Sequence, residues 1–261
     1  MNTQAKIIAV ANQKGGVGKT TTSINLSAAL ALKKKRVLIV DSDPQGNASS
    51  GVGVNMKKVK VHLYHAYSGG YPALDVVKES GIKNLDILPA SIDLVAAEIE
   101  MINIEKRETR LKVLLEPLVG FYDFIIIDCP PSLGLLTINA LTSADSVLIP
   151  MQCEFFAMEG LAQLVNTIRS VKKTFNKDLY IEGLVLTMFD KRNRLTHQVA
   201  AEIKTHFNNQ LFKTVIPRNV RLSECPSHGQ TIIDYDKQCT GAVAYMSLAK
   251  EFLTNQRKKN E

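Results

Sequence analysis

The run KIIAVANQKGGVGKTTT, residues 6–22, constrains this chain more than any other stretch. An apolar, β-rich segment leads into a glycine-rich turn, and GKT then opens a helical pattern. Gly15, Gly16 and Gly18 allow close backbone approach and turn N–H groups inward, while a helix N-terminus adds partial positive charge. Such a turn is a phosphate cradle, with Lys19 set to reach the β- and γ-phosphates of ATP and Thr20 to ligate Mg2+. The expected nucleotide-binding set is Lys14, Gly15, Gly16, Val17, Gly18, Lys19, Thr20 and Thr21. Two features depart from the GxxxxGK[ST] pattern. Position 13 is Gln rather than Gly, and a second lysine, Lys14, precedes Lys19.

Lys14 is either a solvated loop residue or a second phosphate ligand. Two ammonium groups beside one triphosphate repel unless each meets its own share of anion. A lysine on the outer side of the loop does not easily curl back to its own γ-phosphate. It can reach the nucleotide of a second subunit. That reading predicts a homodimer with two ATP molecules sandwiched between the protomers, formed with the γ-phosphate and released by hydrolysis.

Apolar runs alternate with helical patterns along the rest of the chain. Strands are expected at 6–12, 36–41, 85–90, 124–130, 146–150, 181–189 and 212–217, and helices at 20–34, 92–118, 134–144, 158–175, 195–208 and 241–256. Several strands are nearly continuous Val, Ile and Leu, as strands buried on both faces should be. The expected fold is α/β, a twisted, mostly parallel sheet with helices on both faces, of the P-loop NTPase kind. Residues 46–84, rich in Gly, Lys and Tyr, are expected to form loops and short helices. No repeat or low-complexity linker divides the 261 residues, so a single domain over 1–261 is expected.

In such sheets ligands sit beyond the carboxyl ends of strands. The phosphate loop, Asp41 and Asp43, Asp128, and the loops 190–194 and 217–224 should therefore converge on one edge. Phosphoryl transfer needs a carboxylate to position or deprotonate the attacking water and another to support the metal. Asp128, after FIII, has the setting of a metal-supporting acid. Asp41 and Asp43 alternate on an extended segment and point to opposite sides. Asp41 either caps its strand or belongs to the metal shell. Pro130 and Pro131 either stiffen a switch loop or end a strand.

Composition bounds the remainder. Hydrophobic residues make up 45% and charged residues 22%, the balance of an ordinary globular protein. No apolar stretch reaches 18 residues and no signal peptide or myristoylation site is read, so a cytoplasmic protein is expected. The four cysteines are scattered without CxxC spacing, which leaves reduced thiols as the simplest reading and an intersubunit iron–sulfur cluster as the other. The formal charge of +7 permits an anionic partner without requiring one. KKKR (33–36) ends a helix, where cations favour the dipole. KRNR (191–194) differs, since it follows a strand's carboxyl end.

KGGVGKTT, VLIVDSDPQGN (37–47), FIIIDCPPS (124–132) and TVIPRNVRLSECPSHG (214–229) together resemble the ParA/Soj chromosome-partitioning ATPases of the deviant Walker A, MinD/ParA superfamily. The resemblance spans nearly the whole chain. It implies a weak ATPase in which Lys14, Lys19 and Asp43 are catalytic, with Asp43 acting on the water. Thr20, Asp41 and Asp128 would serve Mg2+, and Pro217 and Asn219 would lie near the adenine. Arg192 and Arg221, with Arg218 on the same loop as Arg221, would bind DNA without sequence preference. A ParB/Spo0J-type centromere-binding partner would stimulate turnover through its N-terminal segment, and the protein would associate with the nucleoid. Gln45 and Asn47 would sense the γ-phosphate or meet a partner. A second reading is a MinD-like membrane-surface ATPase, which needs a C-terminal amphipathic anchor; Tyr245, Leu248 and Phe252 have the spacing either for that or for core contacts. A third is a reductase of nitrogenase iron-protein type, which needs paired cluster cysteines.

Overall fold

The computed structural model describes residues 4–260. In chain order it places β1 (Lys6–Val10), α1 (Lys19–Leu32), β2 (Val37–Asp41), α2 (Asn47–Gly51), α3 (Leu63–Tyr67), α4 (Ala73–Val76), β3 (Lys78–Glu79), β4 (Leu85–Leu88), α5 (Leu94–Glu100) and α6 (Arg110–Leu115). There follow β5 (Phe124–Asp128), α7 (Leu135–Ser143), β6 (Ser146–Gln152), α8 (Ala157–Thr174), β7 (Tyr180–Thr187), α9 (Arg194–Phe207), α10 (Arg221–Glu224), α11 (Ile232–Tyr235) and α12 (Thr240–Asn260).

The seven strands form one sheet in the order β3-β4-β2-β5-β1-β6-β7. All neighbours are parallel except the edge pair β3–β4. The apolar runs of β1, β2, β5 and β6 are buried on both faces, which is why they read as continuous Val and Ile. One face packs against the layer that carries α3 to α9, and the other against α1, α2 and α10 to α12. The chain builds outward from β1 to one side and then to the other, so a crevice opens at the carboxyl ends of the central strands.

Three sequence expectations are corrected. Residues 212–217 do not form a regular strand but run irregularly beside β7, with isolated bridges at Leu211 and Pro217 and with the Phe212 and Ile216 N–H groups donating to the Leu184 (2.9 Å) and Leu186 (2.8 Å) carbonyls. The N–H groups of Lys213 and Thr214 instead donate to Glu251 of α12, and Pro217 has no N–H to give. The expected helix 92–118 is broken into α5, α6 and tight turns, because Ile104 is extended and Lys106 is left-handed with φ 56°. Residues 46–84 hold, besides short helices, the edge strand β3, whose two residues are too few to leave a periodic signal.

At the amino end of the sheet, Glu182 of β7 is enclosed. It accepts from Lys6 (2.7 Å), Lys259 (2.8 Å), Ser146 (2.8 Å) and Gln256 (2.7 Å), tying β1, β6 and β7 to the end of α12. Burial pushes its carboxyl up, but the hydrogen bonds from Lys259 and Lys6 and the Lys6 charge outweigh that and hold it at about 2. A depressed carboxylate contributes stability that is present above its usual value of 4.5 and lost as pH falls toward 2. We therefore expect acid unfolding followed by circular dichroism to weaken the wild type across that window, by on the order of 3 kcal/mol from this group. Glu182→Gln should remove this component and leave a flatter profile there.

Candidate functional site

The loop after β1 is shaped by two glycines in left-handed conformation, Gly16 at φ 73° and Gly18 at φ 84°. Gly18 caps α1 without any side-chain acceptor, so the first N–H groups of the helix are left for a ligand. Thr187 of β7 donates to the Val17 carbonyl at 2.8 Å and fixes the loop against the far side of the sheet. Lys19 is almost wholly buried, and its ammonium donates to the Lys14 carbonyl at 3.1 Å. Burial lowers its pKa, while Asp128, Cys129 and Asp43 pull it back up.

A cavity of about 570 Å3 opens above this loop, the size of a small-molecule site. Gly15, Gly16, Gly18, Lys19, Thr20 and Thr21 line it on one side, with Asp43, Gln45, Asn47 and Pro131 beside them. Pro217, Arg218 and Asn219 close the other end with Ile216, Leu222, Ser223, Pro226 and Tyr245. The carboxyl-edge convergence expected from sequence thus holds for the phosphate loop, Asp43 and the 217–219 loop. Lys14, Val17, Asp41 and Asp128 do not line the cavity wall.

Two carboxylates, Asp128 and Asp43, lie near Lys19, and a third, Asp41, stands beside Asp128. Asp128 is fully buried and accepts from Thr20 and Ser23, each at 2.8 Å, so it stands directly behind Thr20. Burial raises its pKa against the pull of those two hydroxyls. Asp41 is its register partner on β2, and burial together with Asp128 raises Asp41 as well. Both Asp41 oxygens are occupied: Ser49 donates its N–H (2.8 Å) and hydroxyl (2.6 Å), and the Asp43 N–H donates at 3.3 Å. Asp41 therefore pins the start of α2 and aims the segment that carries Asp43. Asp43 accepts from the Gln45 N–H at 3.0 Å through one oxygen and faces the cavity. Oxygen donors and surplus negative charge suit Mg2+, so the residues fit that ion.

Lys14 turns away from the cavity and pairs with Glu154, with 39% of its side chain still exposed. Of the expected DNA contacts, Arg218 is exposed at the cavity rim. Arg192, 91% exposed along its side chain, pairs with Asp190 at 3.2 Å. Arg221 pairs with Glu224 at 3.3 Å and lies over the Tyr235 ring. Exposed pairs of this kind are weak and exchange readily for another anion. Ser49, Thr187, Met188 and Leu222 escaped the sequence reading. Only Leu222 left a signal, inside the RNVRLSE stretch.

A central-strand phosphate loop, a helix N-terminus bare of caps and acids at the ends of β5 beside it and of β2 next in order define a P-loop nucleoside triphosphate-binding fold. The family model described as an AAA domain matches residues 5–181. Over 250 residues the chain is 57% identical to the sporulation initiation inhibitor protein Soj of Bacillus subtilis, covering 96% of this chain and 99% of that one. It is 50% identical to the chromosome partitioning protein ParA of Myxococcus xanthus, covering 99% and 91%. Among solved structures, a cobyrinic acid a,c-diamide synthase from Mycobacterium smegmatis with bound ATP analog and magnesium superposes with a TM-score of 0.85 at 35% identity, covering 97% and 96%. The chain belongs to the ParA/Soj chromosome-partitioning family.

The Asp41–Ser49 contact yields a direct prediction. Ser49→Ala removes one donor from a buried carboxylate and the acceptor of the Ala90 N–H. Chemical denaturation should show a loss of about 1–3 kcal/mol.

Proposed function

We propose that this chain is a weak, partner-stimulated ATPase that dimerises around ATP, binds DNA non-specifically as the dimer and drives chromosome or plasmid segregation. The observation that supports it most is the division of the two lysines. Lys19 is buried at the cavity, whereas Lys14 lies outside its lining, half-exposed and paired with Glu154. The backbone N–H groups of residues 15–21 cradle the phosphates, and Pro217 and Asn219 bracket the base. Thr20 would hold Mg2+, with Asp128 behind it and Asp41 supporting from β2; when bound, the ion neutralises charge on the β- and γ-oxygens.

Asp43 orients the attacking water and takes its proton. Lys19 meets charge that develops on the transferred phosphoryl group, and Lys14 meets the γ-phosphate of the other protomer. No arginine finger is recognisable in the sequence motifs, so slow turnover is expected. A missing cationic group of this kind costs ~10³–10⁵ in rate, which a ParB/Spo0J-type activator can restore. DNA binding follows dimerisation because non-specific affinity grows with the number of neutralised phosphates. Pairing two protomers doubles Arg192, Arg218 and Arg221 on one surface, and their affinities multiply.

The MinD-like alternative finds little support. Tyr245, Leu248 and Phe252 are buried against the sheet, and Phe252 packs on Phe124 with centroids 5.5 Å apart. Sedimentation with liposomes separates the two readings.

Lys14→Ala should bind nucleotide as the wild type does yet fail to pair with ATP on size exclusion; unchanged pairing would refute its role across the interface. Asp43→Ala should trap a long-lived ATP dimer, and prompt phosphate release would count against it. Arg221→Ala should leave dimerisation alone and lower DNA affinity in a titration with ATP, ADP and no nucleotide. Run at two salt concentrations, that titration should also lose ~0.9 of slope per phosphate contact removed. An unaltered gel shift takes Arg221 out of the DNA site.

A further inference from the structure

The segment that carries Asp43 is held from outside the cavity. Ser49, which completes Asp41, also accepts the Ala90 N–H at 3.1 Å. The Ala90 carbonyl lies against the same segment, because a Cβ on Gly46, left-handed at φ 64°, would stand 3.4 Å from it. Gly46 in turn donates its N–H to the Asp43 carbonyl at 3.0 Å. Ala90 therefore meets the turn between Asp43 and α2 at two points, Gly46 and Ser49.

The neighbours of Ala90 are clamped by the start of α3. The Leu63 N–H donates to the Pro89 carbonyl at 2.8 Å. Ser91 Oγ meets Nδ1 of His62 at 3.0 Å, and Nε2 of the same ring meets Asp93 at 3.3 Å. Ser91 Oγ also lies 3.1 Å from the Asp93 carboxylate and accepts the Asp93 N–H at 3.2 Å. A carboxylate only accepts, so Nε2 carries the proton toward Asp93 and the neutral ring keeps Nδ1 for the Ser91 hydroxyl. Burial and then the neighbouring His65, its ring centroid 4.4 Å away, lower the His62 pKa against the pull of Asp93, which keeps the ring neutral at neutral pH. Of Pro89, Ala90 and Ser91, the outer two are thus tied to residues 62 and 63 and the middle one to Ser49. Neither His62 nor these three residues line the cavity, so their bearing on a bound nucleotide runs through the Asp43 segment.

We propose that His62 is a positioning residue for ATP hydrolysis: with Ser91 it holds Ala90 in place, and Ala90 sets Ser49, Asp41 and the segment that aims Asp43. The assignment rests on the reading of Asp43 as the residue that acts on the attacking water. The connection is contiguous, each link being a covalent neighbour or a hydrogen bond of 3.0 Å (His62–Ser91), 3.1 Å (Ala90–Ser49), 2.6 Å (Ser49–Asp41) or 3.3 Å (Asp43–Asp41). Displacing a group that orients a reactant by about 1 Å can cost on the order of 10²-fold in rate, so a partial loosening here has a measurable effect without any contact to the nucleotide.

The test is single-turnover hydrolysis of radiolabelled ATP with Mg2+, with the protein in excess and varied in concentration. It compares the wild type with His62→Gln, His62→Asn, Ser91→Ala and Asp43→Ala, each also followed by thermal melting. Asparagine can set its oxygen near the Nδ1 position and keep Ser91 bonded, whereas glutamine reaches the Nε2 position and faces Asp93 instead. His62→Gln and Ser91→Ala should each lower the saturating rate roughly tenfold and leave the half-saturating concentration within about twofold of the wild type. His62→Asn should restore most of the rate. His62→Gln combined with Ser91→Ala should be no slower than either single change, since both break the same link. Wild-type rates in His62→Gln and Ser91→Ala overturn the assignment. Equal slowing by His62→Asn and His62→Gln, or a loss that tracks a lowered melt or weaker ATP binding, overturns it as well, because the cluster then serves the fold alone. Wild-type hydrolysis by Asp43→Ala overturns the Asp43 reading itself, and the two failures are therefore distinct.

Discussion

Everything at the carboxyl edge depends on one buried carboxylate, Asp128. It has no solvent exposure, yet holds Thr20 and Ser23 of α1 and stands against Lys19. Removing a carboxylate from water is costly unless donors or cations surround it. Here two hydroxyls and one lysine do so, and they are the groups that fix the first turn of α1 under the phosphate loop. Asp41, one strand away, has the same problem and solves it with Ser49. The two acids thereby set the position of the two segments that a triphosphate must engage, the start of α1 and the Asp43 segment.

This arrangement explains why a switch fits the site better than a fast catalyst. The acids and Lys19 leave surplus negative charge that a metal-bound triphosphate changes at once. In the proposed switch the loops after β2 and β5 would carry that change outward, the first through Asp43 and α2, the second through the segment that leads into α7. Lys14, paired only with Glu154 at half-exposed positions, is free to exchange its partner for a stronger anion. On the proposed function, binding, pairing and release would follow from the same few charges.

The sheet and the phosphate side of the cavity were legible in the sequence because their constraints are local. Continuous Val and Ile in β1, β2 and β5 mark doubly buried strands, and Gly16 and Gly18 mark backbone that only glycine adopts readily. The far side of the cavity was legible only in part. Pro217 and Asn219 came from a motif, while Thr187, Met188 and Tyr245 reach the cavity from strand and helix positions indistinguishable from core. Residues 212–217 read as a strand since their pattern is apolar, and Phe212 and Ile216 do donate to β7, but Glu251, far along the chain, takes the Lys213 and Thr214 N–H groups between them and interrupts the pairing. The role of Asp41 was likewise hidden, because Ser49 lies across a turn whose geometry no periodicity encodes.

The most direct measurement is the molar mass of the wild-type protein in saturating, uncleaved ATP analogue with Mg2+, set beside the same protein in ADP. The account predicts twice the chain mass in the first and the single-chain mass in the second. A single chain in both would contradict it.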